Sequence, residues 1–158
     1  MIEAIMETES LARSLREHSL VKGLSDGHVD FLSGCTKNIR IPAGRFVFRE
    51  GAAADELYLV RSGKIALEVH DGARGAVILE TIGGDDALGW AAINPPYRWS
   101  IDARAIEPTL LFAINGTCLR QKLDADHTFG YAFTRRLMNE IHERLERARL
   151  QALDVYRV

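Results

Sequence analysis

The chain has 158 residues, of which 47% are hydrophobic and 27% are charged, and its formal net charge is −2. This length and balance predict one soluble globular domain with a buried core and exclude a disordered chain. The small negative charge excludes a general attraction to nucleic acid or to an anionic membrane. No apolar run approaches the ~20 residues that span a bilayer, so we expect a cytoplasmic protein.

The N-terminal region, residues 1–38, is predicted to form short helices. Acidic residues precede the first arginine, which is unlike a signal peptide. Within residues 3–17, Ile5, Leu11 and Leu15 are apolar among Glu and Arg, a pattern that is typical of a helix. Ser25 is a good N-cap residue, so a second short helix is expected to start after it.

Residues 39–115 have the pattern of strands. Short runs rich in β-branched and aromatic residues are separated by Gly, Pro or Asp-Gly. These near-regular turn signals predict an antiparallel β-roll or jelly-roll barrel of about eight strands, and with the flanking helices an α+β fold. The runs are IRIPAGRFVFREG, ELYLVRSGKIALEVH, AVILETIGG, SIDARAIE and TLLFAIN.

A hairpin is predicted at Ser62-Gly63. Leu57 and Leu59 before the turn, and Ile65 and Leu67 after it, alternate with polar or outward positions. Such alternation is typical of strands with one buried face. The two strands are therefore expected to pair with each other across the turn.

The C-terminal region, residues 116–158, is expected to be helical. Residues 117–123 form a short helix, and Asp126 is placed to cap a long helix that runs to about residue 156. From residue 141 onward the apolar steps alternate between four and three, which is the spacing of a heptad seam. We therefore expect a parallel homodimer through this helix, and the alternative is that the helix folds back onto its own domain. The seam residues are Leu137, Ile141, Leu145, Ala148 and Ala152.

The long helix is also rich in arginine. Glu140 and Arg144, and likewise Glu143 and Arg147, are four residues apart in the order that stabilises a helix. We expect these pairs to neutralise each other on a solvated face of the helix.

The remaining chemistry-bearing residues predict no catalytic or metal site. Cys35 and Cys118 fit no metal-ligand spacing, and we expect two unpaired, partly buried thiols, with one disulfide as the alternative. The five histidines are scattered, and no phosphate-loop, nucleophile-elbow or dinucleotide-binding motif is present. We therefore expect no metal, no certain cofactor and no enzymatic activity.

The order of short helices, barrel strands and a long final helix resembles the cyclic-nucleotide-binding domain, in particular the sensor domains of catabolite-activator-type bacterial regulators. IPAGRFVFREGAAADELYLVRSGKIAL resembles the first half of that domain, and ILETIGGDDALGW resembles the strand that leads into its phosphate-binding cassette. DARAIEPTLLFAIN resembles the following strand pair, so the likeness covers roughly residues 20–156. Gly44, Gly51 and Gly63 are expected to be structural turns, where a left-handed or bulged backbone favours glycine.

The resemblance raises a question about the cassette. In nucleotide-binding members a Gly-Glu pair opens a short helix whose N-terminus, with a later Arg, binds the cyclic phosphate, and the Glu accepts from the ribose. Gly89 matches the glycine, but Trp90 stands in place of the Glu. Without a gap, Trp99 occupies the Arg position, whereas a bulge after the double proline would turn Arg98 inward. We favour the inward Trp99, because the bulged register would face Asp102 towards an apolar interior.

Three interpretations of this candidate pocket remain open. The two indoles plug it and leave a ligand-free interaction scaffold, or they line a pocket for another small anionic or aromatic ligand, or Arg98 binds cAMP or cGMP. The candidate pocket residues are Gly89, Trp90, Ala91, Arg98, Trp99 and Ser100.

The sequence ends at Val158, directly after the long helix. Regulators of the catabolite-activator type, which this chain resembles, continue from that helix into a helix-turn-helix module. We therefore expect a stand-alone sensor or regulatory domain that binds no DNA by itself. We expect it to signal through its C-terminal helix to an unknown protein partner.

Overall fold

The computed structural model describes residues 11–156 of the chain. Residues 11–15 are helical, and the earlier part of the helix predicted over 3–17 lies outside the described residues. Helix α1 follows at Asp26–Gly34. The side chain of Ser25 accepts a hydrogen bond from the backbone N–H of His28 at 3.3 Å, which confirms the predicted cap.

Eight strands form two antiparallel four-stranded sheets, which confirms the predicted jelly-roll barrel and α+β fold. The first sheet has the order β1-β8-β3-β6 and the second has the order β2-β7-β4-β5. The first strand begins at residue 36, three residues before the predicted change of pattern. The strands are β1 (Thr36–Ile41), β2 (Phe46–Phe48), β3 (Glu56–Ser62), β4 (Lys64–Asp71), β5 (Gly75–Gly83), β6 (Ala87–Leu88), β7 (Asp102–Ala105) and β8 (Thr109–Asn115).

The hairpin predicted at Ser62-Gly63 is wrong, because the turn carries the chain from one sheet to the other. β3 pairs with β8 and β6, whereas β4 pairs with β5 and β7. Gly63 has a φ of +100°, and a Cβ there would lie 2.7 Å from the carbonyl oxygen of Pro108, so only glycine fits this crossing. Residues 57–60 are all buried, which shows that β3 is covered on both faces. The true hairpin joins β4 to β5.

The other two predicted turn glycines also adopt positive φ angles. Gly44 follows β1 with a φ of +84°, and Gly51 follows β2 with a φ of +86°. The amide of Gly44 donates to Ala105 of β7 at 2.7 Å, so this turn is tied to the second sheet.

Two helices close the chain. Helix α2 spans Gly116–Ala125, and helix α3 spans His127–Val155, as the sequence predicts. Asp126 accepts from the N–H of Phe129 at 3.1 Å and so caps α3. Phe129, Phe133 and Leu137 are buried, so the first half of α3 packs into the core of its own domain.

The cysteines form a disulfide, Cys35–Cys118, so the expectation of two free thiols is wrong. The pairing of β1 with β8 explains why they meet. Thr36 lies opposite Ile114, and the amide of Asn115 donates to the carbonyl oxygen of Cys35 at 2.9 Å. This register brings the end of α1 to the start of α2, with the two Cα atoms 6.2 Å apart.

Candidate functional site

A cleft of about 300 Å³ lies between the barrel and α3, and its walls are mostly apolar. Phe48, Leu67 and Ile101 belong to the wall on the barrel side. The opposite wall is α3, which contributes Ile141, Leu145, Ala148 and one charged residue, Arg144. The cleft is therefore bounded by the barrel on one side and by α3 on the other.

Five of the six predicted pocket residues line this cleft. The turn after β6 and the short 3₁₀ helix at Trp90–Ile93 bring Gly89, Trp90 and Ala91 to it. The segment before β7 brings Trp99 and Ser100. The sixth residue, Arg98, is absent from the lining.

Trp99 points into the barrel, as the favoured register predicts. It is 6% exposed and stacks on Phe48, with ring centroids 3.8 Å apart and an interplanar angle of 10°. Its ring also lies against Gly89, because a Cβ on that glycine would be 3.0 Å from Cη2 of the indole. The cassette glycine therefore faces an aromatic ring.

Arg98 lies outside the cleft and is engaged elsewhere. Its Nη1 donates to the carbonyl oxygen of Gly51 at 3.0 Å, and its backbone forms a bridge with Ala53. The guanidinium that could have bound a cyclic phosphate thus holds the turn after β2.

Asp102 explains why this register is stable. The residue is buried, but it does not face the cleft, and its carboxylate accepts from the amide of Glu50 at 2.7 Å. Arg49 and His70 approach the same carboxylate at 3.4 and 3.8 Å. The buried charge therefore has polar partners, which an apolar barrel interior would not supply.

Trp90 contacts α3 instead of entering the barrel. It is half-buried, and the guanidinium carbon of Arg144 lies 4.7 Å from its ring centroid, within cation–π distance. Trp90 therefore forms a contact between the barrel and the helix.

Arg144 and Glu80 are charged residues of the cleft that the sequence did not predict. The side chain of Arg144 is 5% exposed, and its Nε and Nη2 each donate to a carboxylate oxygen of Glu80 on β5 at 3.0 Å. Its Nη1 donates to the carbonyl oxygen of Ala87 on β6. The expected solvated pair with Glu140 is therefore wrong. One signal was available, since Arg144 follows Ile141 by three and Leu137 by seven and so falls on the buried stripe of the helix.

Side chains of α3 complete the edge of β6. Ala87 pairs with Leu59 of β3, and within residues 11–156 no strand pairs with its other side. Glu140 accepts from the Ala87 N–H at 3.1 Å, and Arg144 donates to the Ala87 carbonyl. Burial raises the pKa of Glu140, although this amide partly opposes the shift. Both backbone groups of Ala87 thus depend on the position of α3.

A further ion pair lies one turn along α3. Arg147 approaches Asp86, the residue before β6, at 3.6 Å. The expectation that Arg147 belongs to a solvated face is therefore also incomplete.

The predicted seam divides between two environments. Leu137 is buried and Ile141 is half-buried, and both pack on the chain's own core. Leu145, Ala148 and Ala152 are exposed. The fold-back alternative therefore holds for the first half of α3, whereas the second half presents an exposed apolar stripe, of which Leu145 and Ala148 also border the cleft.

The family model described as "Cyclic nucleotide-binding domain" matches residues 38–126, which is more than half of the chain. The chain belongs to this family. In this member of the family, Gly89 and the indoles of Trp90 and Trp99 lie together in the wall of the cleft.

Three solved structures illustrate the likeness of this fold to known proteins. A putative cyclic nucleotide-binding protein from Geobacter metallireducens has a TM-score of 0.77 at 22% identity, covering 85% of this chain and 97% of that one. A cyclic nucleotide-binding domain from Methylobacillus flagellatus has a TM-score of 0.78 at 18% identity, covering 96% and 85%. The sensor domain of the Pseudomonas aeruginosa transcriptional regulator DNR has a TM-score of 0.71 at 20% identity, covering 89% and 94%. At these identities the likeness shows the fold.

Among curated proteins, an uncharacterized protein from two strains of Mycobacterium tuberculosis is 29% identical over 104 residues. The match covers 63% of this chain and 20% of that protein, so this chain spans about a fifth of the relative's length.

Within residues 11–156, no group of three or more potential ligand side chains is arranged to hold a metal ion. The same described residues include no helix that is both long and apolar enough to cross a membrane.

Proposed function

We propose that this cyclic nucleotide-binding domain is a regulatory module that senses a small molecule in the cleft between the barrel and α3. Binding changes how α3 is held, and α3 passes the change to a partner protein. This role is regulatory and not catalytic.

The proposal rests on the observation that α3 both lines the cleft and forms hydrogen bonds with the strand that leads into the cassette. The helix contributes Ile141, Arg144 and Leu145 to the wall of the cleft. Its Glu140 and Arg144 also bond both backbone groups of Ala87, at the entrance to the cassette. A ligand in the cleft must therefore contact the helix and the cassette together, and its binding free energy can shift the position of the helix.

The cassette favours a ligand other than cAMP or cGMP. Trp90 replaces the ribose acceptor, Trp99 covers Gly89, and Arg98 is bonded to the turn after β2. A nucleotide would have to displace Trp99 from its stack on Phe48, which would uncover a large buried ring. Cyclic nucleotide binding is therefore the less favoured alternative.

We also propose that the domain is a homodimer through the second half of α3. Apolar residues are exposed in a stripe along this part of the helix, and a second copy of the helix would bury them. The stripe includes Leu145, Ala148, Ala152 and Val155.

The competing function is a ligand-free interaction scaffold. The stacking of Trp99 on Phe48 favours it, because this packing already fills much of the barrel mouth. The two functions differ in whether the remaining cleft admits any small molecule.

The test is a binding screen with four chemical classes, namely cyclic nucleotides, flat aromatic acids, their neutral amides and flat aromatic amines. Both tryptophans of the chain line the cleft, so intrinsic fluorescence reports directly on occupancy. The sensor function requires that at least one class changes the emission and raises the melting temperature. If none of the classes does either, the scaffold function replaces it.

A further inference from the structure

The cleft combines aromatic walls with one buried cation. Trp90 and Trp99 present indole rings to it, and Phe48, which stacks on Trp99, belongs to the same wall. Arg144 is the cation, and its side chain is almost fully buried. At about 300 Å³ the cleft lies at the small end of the range of ~300–1,000 Å³ for ligand pockets, which favours a small, flat molecule.

The two groups of the Arg144–Glu80 ion pair are held very differently. Arg144 is 5% exposed and is also bonded to Ala87 and packed on Trp90. Glu80 is 26% exposed and lies on β5, next to the exposed Leu79. Glu80 can therefore turn out into water, while the guanidinium stays in the wall of the cleft.

This asymmetry permits an exchange of carboxylates. A buried guanidinium needs an anionic partner, and a ligand carboxylate can accept the same two parallel N–H bonds that Glu80 now accepts. The number of hydrogen bonds to Arg144 is then unchanged, and the released Glu80 is hydrated. A neutral or cationic ligand cannot make this exchange.

We propose that the cleft binds a small flat aromatic acid, whose carboxylate replaces Glu80 on Arg144 and whose ring lies against Trp90 and Trp99. The inference rests on the proposed sensing function and names the chemical class of its ligand. The exchange also breaks the ion pair between Glu80 on β5 and Arg144 on α3. Binding of the ligand carboxylate therefore removes one of the contacts that hold the helix against the barrel.

The experiment compares the affinities of matched acids and amides. The probes are benzoate, 2-naphthoate and indole-3-carboxylate, each beside its neutral amide, and binding is measured by calorimetry at pH 7. In the wild-type protein at least one acid is expected to bind about tenfold more tightly than its amide, since a charge-assisted bond exceeds a neutral one.

The decisive variant is Glu80→Gln. It removes the competing carboxylate but keeps the shape of the side chain, so the affinity for the acid is expected to rise by about tenfold, whereas that for the amide stays the same. The control is Glu143→Gln, which removes the same charge from the exposed face of α3 and should leave both affinities unchanged. A thermal melt establishes that each variant is folded.

Two results would overturn the inference. One is that no acid binds more tightly than its amide in either the wild type or Glu80→Gln, and the other is that Glu80→Gln weakens the acid. If the inference is overturned but an amide, an amine or a nucleotide binds, the proposed sensing function still holds, and its ligand belongs to that other class. Absence of binding by every class would overturn the sensing function itself.

Discussion

Both carboxylate oxygens of Glu80 accept a hydrogen bond from Arg144, each at 3.0 Å. This contact joins β5 of the barrel to the middle of α3. With the bonds from Glu140 and Arg144 to Ala87, it holds the helix against the cassette through polar side chains. Polar contacts of this kind can exchange partners, which distinguishes the middle of α3 from its apolar first half.

Replacement of Arg144 by Gln should destabilise the domain strongly. The Ala87 carbonyl would lose its donor and the link to Glu80 would be broken, and a buried acceptor left without a donor typically costs about 1–3 kcal/mol of unfolding free energy. Urea unfolding followed by circular dichroism measures the change. The matched control is Arg149→Gln, since Arg149 forms only an exposed pair with Glu146, and its effect should stay below about 0.5 kcal/mol. Equal effects of the two variants would show that Arg144 does not hold the helix.

The stability of the domain should fall as the pH decreases below about 6.5, and His18 should account for part of this loss. Burial holds the pKa of His18 below its usual value of 6.5, although the charge of Asp85 partly opposes the shift. The ring accepts from the amide of Leu20 at 3.1 Å and lies 3.2 Å from the carbonyl oxygen of Asp86, an arrangement that needs the neutral form. The unfolded chain therefore binds a proton first, so stability is lost as the pH falls from 6.5 towards the lowered pKa of the folded state.

The variant His18→Gln should flatten this dependence in urea titrations between pH 7.5 and 5.5. His142→Gln is the control, because His142 is exposed on α3. Glu140 has the opposite effect on stability at lower pH. Burial raises its pKa, so the folded state takes up a proton more readily than the unfolded chain does, and this contribution to stability increases as the pH falls. An unchanged slope in His18→Gln would contradict the assignment to His18.

Reduction of the Cys35–Cys118 disulfide should lower the unfolding free energy by about 2–5 kcal/mol, because the bond closes a long loop in the unfolded chain. Urea unfolding with and without a phosphine reductant measures the loss. A Cys35→Ser/Cys118→Ser double variant should be insensitive to the reductant. Two titratable thiols in the unfolded, unreduced protein would contradict the pairing.

If α3 forms the proposed homodimer, light scattering will give twice the mass of the chain, and Ala152→Glu will give a monomer. The added charge would be buried in the apolar stripe without a partner. Gln151→Glu adds the same charge beside the stripe and should remain dimeric. If light scattering gives the mass of one chain for the wild-type protein, the proposed homodimer is wrong.

Much of the fold follows from local sequence signals. Ser25 and Asp126 cap helices where the sequence predicts them, because an N-cap depends only on a side chain and an amide three residues away. The inward Trp99 could also be predicted, since strand alternation and the cost of burying Asp102 without partners favour the same register.

The errors concern contacts between distant segments. The disulfide depends on the pairing of β1 with β8, and the turn at Gly63 depends on which sheet accepts each strand. The predicted pair of Arg144 with Glu140 was wrong. A spacing of four residues indicates a possible pair within the helix, but it gives no information about a carboxylate on another element, such as Glu80 on β5. The candidate site was therefore located from the sequence, but its two charged residues, Glu80 and Arg144, were not.

The central claim is that a ligand in the cleft changes how α3 is held. Hydrogen exchange of the Ala87 amide tests this most directly, because that N–H is bonded to Glu140 of the helix. In wild-type protein with a saturating aromatic acid, we predict a changed exchange rate at Ala87 and in residues 140–148, with no change at the amide of Ile114, which is buried on β8. Saturation of the cleft, shown by tryptophan fluorescence, with unchanged exchange at Ala87 and along α3 would contradict the claim.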